Sequence, residues 1–440
     1  MKIFSELINV QTTVVAHGLC CGCGVCAAIC PADCIKIKFD ENLEYKPFID
    51  NNACTNCGLC INVCPGDQRT NFLAKKQFRE SHTGIKENEF LGAFLECYVG
   101  YVTRLKDRLA SASGGLLTAI LEELLTRNLV DAVVIAGESS YKLSRKFFEV
   151  AIADNVEFVH RNRGSKYYPI EYSRVIKKIC TEKSRRYAIV ALPCVTLAIR
   201  KAQLLNAKLR QNILYVLSPV CGHGVSAAYT EYLLKINAID PSSVISIRYR
   251  DKKGISHAND FNFMVKYRGE DGVRVKHFGF LSSSVGTAWC NYLFTPIKCF
   301  YCTDFAGEFS DASFADAWLP EYITDVNGTS IVITRNAEID QLIKTMVDEG
   351  KINLSPITPQ KVIKAQWSAL QFKKESIKGR IRLKKLLCQD FPNYEINWQK
   401  VSIVEAIRKN WRIMLNAHFS RLLYRKNSLK LVKYLNAMSL

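Results

Sequence analysis

The residues best suited to chemistry are the cysteines. There are 18 in 440 residues, and ten lie between Cys20 and Cys64. Eight of these form two copies of C-x2-C-x2-C-x3-C-P: Cys20, Cys23, Cys26, Cys30, Pro31 and, 34 residues on, Cys54, Cys57, Cys60, Cys64, Pro65. Three thiolates two residues apart can wrap a short loop around three corners of an iron–sulfur cubane. In a duplicated run the last cysteine of each copy ligates the other cluster. The spacing therefore assigns Cys20, Cys23, Cys26 and Cys64 to one 4Fe-4S cluster, and Cys54, Cys57, Cys60 and Cys30 to a second. Zinc sites also use thiolates, but usually as separated pairs, not as a close triplet followed by C-P. Cys21 and Cys34 fall outside the register and read as packed thiols.

A small ferredoxin must position these loops. Ile35-Lys36-Ile37-Lys38-Phe39 alternates as a strand and Tyr45 to Ile49 supplies a second, while proline after each fourth cysteine ends a short helix. From Arg69 to about Phe94 the sequence is polar and aperiodic, as in a linker. Beyond it, buried-strand patterns at Val133–Gly137, Tyr187–Leu192, Ile213–Leu217 and Ser330–Thr334 accompany amphipathic helices at Leu116–Arg127 and Glu338–Val347. Val244 to Phe280 alternates like antiparallel strands.

This body carries further candidates. Cys194 follows one strand and Cys221 another, where open α/β sheets build their sites; Cys299 and Cys302 form a C-x2-C pair. Together they offer the four thiolates a third cubane needs, although by spacing alone they also read as unrelated core thiols. Cys97, Cys180, Cys290 and Cys388 have no partner spacing. Ser111-Ala112-Ser113-Gly114-Gly115 runs into a helix, which suits a phosphate at the positive helix end or an ordinary serine cap. Arg161 to Pro169 is basic and aromatic, fit to hold a phosphate and stack a ring, or to be a solvated loop.

Taken in order, five motifs resemble the coenzyme F-420 hydrogenase/dehydrogenase family of beta subunits over about residues 10–350. They are Ser113-Gly114-Gly115, Gly164-Ser165-Lys166-Tyr167, Leu192-Pro193-Cys194, Cys221-Gly222-His223-Gly224, and the Cys299/Cys302 pair followed by Ala315-Asp316-Ala317-Trp318. The resemblance implies an FAD-containing oxidoreductase. In it Cys194, Cys221, Cys299 and Cys302 hold an inner 4Fe-4S cluster, and Ser113, Gly114, Gly115, Gly164, Ser165, Lys166 and Tyr167 lie on the flavin, with Asp304 and Asp316 nearby. It implies a redox protein as electron donor or acceptor and a small-molecule hydride partner, either the deazaflavin coenzyme or another substrate. Two alternatives stay open: a non-catalytic electron-transfer subunit of a larger reductase, and a reductase associated with polysaccharide biosynthesis. The catalytic residues are not identified by any motif.

The expected fold class is multidomain, α+β and α/β. It comprises a bacterial two-cluster ferredoxin fold at 1–75, a linker at 76–97, a mixed α/β flavin-binding body in two parts at 98–180 and 181–350, and a helical basic extension at 351–440. The N-terminus lacks the continuous apolar core of a secretory signal and no segment has the ~20 apolar residues of a spanning helix, so a cytoplasmic protein is expected. Most of the net charge of +19 lies in residues 361–440, with 18 Lys and Arg against 4 Asp and Glu. Such a tail suits peripheral contact with the inner face of an anionic membrane, or a basic cap packed on the body. No helix–turn–helix or zinc-finger pattern supports nucleic-acid binding.

Overall fold

The computed structural model describes residues 8–81, 84–388 and 391–438. Strands β1 (Ile35–Phe39) and β2 (Tyr45–Ile49) pair antiparallel with Ile37 opposite Pro47. Beside them lie the short helices Val25–Ala28 and Leu59–Asn62, each entered through a left-handed glycine, Gly24 at φ +79° and Gly58 at φ +75°. Both glycines stand between the second and third cysteines of their runs. The chain turns there through a conformation that a side chain would strain. The sequence repeat is thus a repeat of backbone geometry.

Residues 71–94, polar and aperiodic in sequence, form the helix Asn71–Glu80 and a hairpin of β3 (Lys86–Asn88) and β4 (Gly92–Phe94). Only Ala74 and Phe78 of that helix are buried, against Leu197 and Phe309. Two buried residues give too faint a periodicity to read.

The body continues with β5 (Cys97–Val102), β6 (Ala132–Glu138), β7 (Phe148–Ala153), β8 (Tyr187–Val190) and β9 (Ile213–Pro219). An antiparallel trio follows: β10 (Val244–Asp251), β11 (Asn262–Gly269) and β12 (Gly272–Gly279). Last come β13 (Ala312–Asp316), β14 (Ser330–Thr334) and β15 (Ile352–Pro356). The main sheet has eight strands in the order β15-β5-β14-β13-β9-β8-β6-β7. Its centre, β13-β9-β8-β6, is parallel and its flanks are antiparallel. The central strands read as unbroken apolar runs because both faces are covered.

One face packs Leu121 and Leu124 of the helix Leu116–Thr126 and Ile339 and Ile343 of the helix Ala337–Asp348. On the other, Leu19, Val25, Ile61 and Val63 of the cysteine-rich region share one core with Ile176, Ile189 and Ala198. The ferredoxin is thus built into the body. The Tyr172 N–H donates to the Cys23 carbonyl at 2.8 Å, and a Cβ on Gly24 would lie 2.7 Å from the Glu171 carboxylate and 2.9 Å from the Ser173 nitrogen.

The C-terminal extension consists of the helices Pro359–Ala365, Trp367–Leu370, Ser376–Leu387, Ile403–Arg425 and Leu429–Met438, with a single wide turn at Gln371–Glu375. It packs on the body. Phe372, Ile377 and Ile381 enter the ferredoxin-side core, and the buried Arg380 donates to the Phe300 carbonyl at 2.7 Å and to Asn410 Oδ1 at 3.0 Å.

Candidate functional site

Two small cavities lie in the ferredoxin region. Cys20, Cys23, Cys26 and Cys64 line one together with Val10, Ile37 and Val63. Cys30, Cys54, Cys57 and Cys60 line the other with Ile35 and Ile49. The last cysteine of each run therefore sits with the other run's triplet. Burial raises the thiol of Cys64 to about 11. Among the described residues, no three His, Cys, Asp or Glu are gathered to hold a single metal ion; the thiols surround spaces instead. Cys34 lines the second cavity with its sulfur 3.5 Å from that of Cys30, and burial followed by that contact pushes it up to about 12.

The parallel strands β8 and β9 end side by side, and each delivers a cysteine just beyond its end: Cys194 in the first turn of the helix Pro193–Leu205, and Cys221 in the following loop. Cys299 lies in the one-turn helix Ile297–Phe300 and Cys302 just after it. The four thiols act on one another electrostatically. The Gly224 N–H donates to Cys299 Sγ at 3.3 Å. Burial raises Cys299 to about 11 and Cys221 still further.

Lys373, almost wholly buried, lies against this set. Burial works against its charge, but Cys302, Cys221 and Cys299 outweigh it and hold the ammonium charged. Four thiolates repel one another, and a buried cation offsets that repulsion. The donor set fits an anionic cluster. Buried Lys298 interacts with Cys302, Cys21 and Cys194 as well as with Cys20 and Cys64, so it stands between two quartets. Cys21 lies close enough to both Cys194 and Cys23 to act on each electrostatically. One thiol therefore links the first ferredoxin quartet to the inner one.

Gly115, at φ +86°, opens the helix Leu116–Thr126. Ser113 Oγ donates to the Thr329 carbonyl and the Gly114 N–H to Ser330 Oγ, both at 2.9 Å, knitting the turn to the start of β14. Lys252 Nζ donates to the carbonyls of Ser113 at 2.7 Å and Arg108 at 2.8 Å. Burial, and then Arg250, pull its pKa down to about 7. Lys166 likewise donates only to carbonyls, those of Asn162, Arg163 and Gly164, and burial lowers it to about 8. Gly164 adopts φ +94° with open space where a Cβ would stand, and Ser165 beside it is half-buried. Each of these two lysines spends its donors on three main-chain carbonyls and is disfavoured as a cation.

The Tyr167 ring stacks on Trp289 at 4.4 Å, Trp289 contacts His223 at 4.1 Å, and His223 contacts Tyr292 at 4.6 Å. Burial holds His223 near 3, so it is neutral. Tyr167 also feels Arg250, Asp316 and Cys221, which sets this segment beside the inner quartet. Asp316 accepts two hydrogen bonds from Arg250, at 2.7 and 2.8 Å. Arg250 Nε is buried with no partner among the described residues, a donor left for a ligand. Asp304 instead fastens its own turn, accepting the Gly307 N–H at 2.8 Å and the Glu308 N–H at 3.2 Å.

Sequence reasoning missed Cys21, Lys298, Lys373, Lys252 and Arg250. Cys21 and Lys298 adjoin motif cysteines, and that adjacency was the available signal. Lys373 had none, because it comes from an extension that shares no spacing with the quartet.

Two sequence models of the coenzyme F420 hydrogenase/dehydrogenase beta subunit match this chain, that of the N-terminal part over residues 97–177 and that of the C terminus over 184–360. The chain belongs to this family. Ahead of the beta-subunit region, a 4Fe-4S dicluster domain matches residues 19–67. This family member is 25% identical over 209 residues to the F subunit of the F(420)H(2) dehydrogenase of Methanosarcina mazei, covering 47% of this chain and 54% of that one. It thus spans about half the length of that relative. A chain of the F420-reducing [NiFe] hydrogenase complex from Methanosarcina barkeri shares the fold, with a TM-score of 0.51 at 17% identity, over 69% of this chain and 96% of that one.

Proposed function

We propose that this beta-subunit relative is an iron–sulfur flavoprotein oxidoreductase that moves electrons between a protein redox partner and a small organic hydride partner. The observation that carries this reading is the place of Cys21, which acts electrostatically on Cys23 of a ferredoxin quartet and on Cys194 of the inner quartet beside Tyr167. Cys20, Cys23, Cys26 and Cys64 would hold one 4Fe-4S cluster, Cys30, Cys54, Cys57 and Cys60 a second, and Cys194, Cys221, Cys299 and Cys302 a third. Ser113 to Gly115 and Gly164 to Tyr167 would line FAD, with Lys166 and Lys252 toward its phosphates. Bound there, the clusters supply one-electron carriage and the flavin supplies the exchange between single electrons and hydride.

The chain's own part is binding and electrostatics. Lys373 and Lys298 offset the thiolate charge, Arg250 keeps one donor unspent while Asp316 fixes its plane, and the rings from Tyr167 to Tyr292 wall the space with apolar surface. A neutral His223 adds no charge there. The deazaflavin coenzyme and other hydride acceptors both suit such a site.

The test is turnover of the purified, anaerobically reconstituted chain between an artificial electron donor and a panel of hydride acceptors, the deazaflavin coenzyme among them. Hydride transfer without a second protein is the expected result. A second reading is favoured by the relatives, one of which is named as a subunit and the other solved as part of a complex. On that reading the chain is an electron-transfer subunit, and turnover appears only when a partner protein is added.

A further inference from the structure

The helix Ile403–Arg425 is apolar on both sides. Toward the body it buries the small and polar Ala406, Asn410, Ala417 and Ser420 and packs Ile413, Met414 and Leu423 against the cores. These contacts are specific, with Asn410 Oδ1 accepting from Arg380 at 3.0 Å and Ser420 Oγ accepting the Phe294 N–H at 2.9 Å. The outward side carries Val404, Ile407, Trp411, Leu415 and Phe419, spaced by three, four, four and four residues along one face. All five are exposed, Val404 by 77% and Trp411 by 53%. A solvated cap would carry polar residues at those five positions.

We infer that this face is a docking surface for an anionic lipid bilayer. The choice of occupant rests on charge. Arg408, Lys409 and Arg412 are exposed among the apolar residues, and Lys426, Lys430 and Lys433 are exposed beyond the helix end. Residues 361–440 hold 18 Lys and Arg against 4 Asp and Glu. A second copy of the chain would bring like charges together. Anionic headgroups match the basic flanks, and the acyl boundary takes up the stripe. A helix with an apolar face and basic edges lies in the plane of the interface with that face about 5–10 Å deep, and Trp is favoured at that depth. Among the described residues no helix is long and apolar enough to cross a membrane, so the contact is peripheral.

The test uses the full chain with vesicles of phosphatidylcholine, alone or with one quarter phosphatidylglycerol. The chain sediments with the anionic vesicles and not with the neutral ones, and the binding weakens as salt rises. Lipids brominated near the headgroup end of the chains quench its tryptophan fluorescence, and Trp411→Phe removes most of that quenching. Ile407→Gln with Leu415→Gln lowers the affinity at least tenfold with unchanged circular dichroism and iron content, because both side chains face solvent. Arg408→Gln with Arg412→Gln flattens the salt dependence. Absence of binding to the anionic vesicles overturns the inference, as does wild-type binding by the Ile407/Leu415 variant. It is also overturned if that variant's only defect is loss of a concentration-dependent dimer or of binding to an acidic protein.

Discussion

Cys21, a residue outside both cysteine registers, acts electrostatically on Cys194, which stands just beyond the end of the central parallel strand β8. The contact brings the first ferredoxin cysteines beside the cysteines of the body. Cys21 lines the first cavity too, but its place outside the C-x2-C-x2-C register separates it from the four cysteines beside it.

That separation predicts different outcomes for neighbouring cysteines. Cys21→Ala keeps the full iron content after reconstitution, whereas Cys20→Ala loses about four irons, the content of one cubane. An iron assay on the two variants, with sulfide as the control, reads the difference.

Lys373 is a cation held among three thiols of the inner quartet. Removing its charge makes added negative charge less favourable, so Lys373→Met lowers the reduction potential of the inner cluster. A loss of about 60 mV corresponds to a tenfold change in the one-electron equilibrium. A redox titration followed by electron paramagnetic resonance measures it, with the two ferredoxin signals as internal references.

Lys252 has a folded-state pKa near 7, below its ordinary 10.5, through burial and Arg250. Between those values the unfolded chain binds more protons than the folded one, so flavin-free stability rises with pH from about 7 toward 10. Lys252→Met removes on the order of 1 kcal/mol of that rise, read from urea midpoints at pH 7 and pH 9. Dinucleotide phosphates favour the charged lysine, so flavin binding takes up protons in the wild type and fewer in the variant.

Gly24 joins the first cysteine loop to the body. At φ +79°, with the Ser173 nitrogen 2.9 Å from where a Cβ would stand, it leaves a side chain no room. Gly24→Ala is expected to cost on the order of 1–3 kcal/mol and to speed iron loss on dilution, whereas Gly58→Ala, with open space around it, costs only the backbone strain. Thermal melts and timed iron release compare the pair.

The sequence was most legible where partners are close along the chain. The strands Ile35–Phe39, Tyr45–Ile49 and Ser330–Thr334 follow from local alternation or apolar runs, and the crossing of Cys30 and Cys64 follows from the repeat. Longer-range relations were not legible. The helix Asn71–Glu80 buries too little to show a period, and Lys373 reaches the inner quartet from an extension read only as basic. The outward stripe on Ile403–Arg425 was visible as amphipathicity, but a moment does not say which face is buried. That orientation depends on Ile413, Met414, Asn410 and Ser420 finding partners on other elements.

The central claim is three clusters and one flavin in a single chain, and metal and cofactor content tests it most directly. After anaerobic reconstitution and desalting, about twelve irons, an equal amount of sulfide and about one FAD per chain are predicted. Zinc in place of iron, or full cluster content with no flavin retained, would contradict the account.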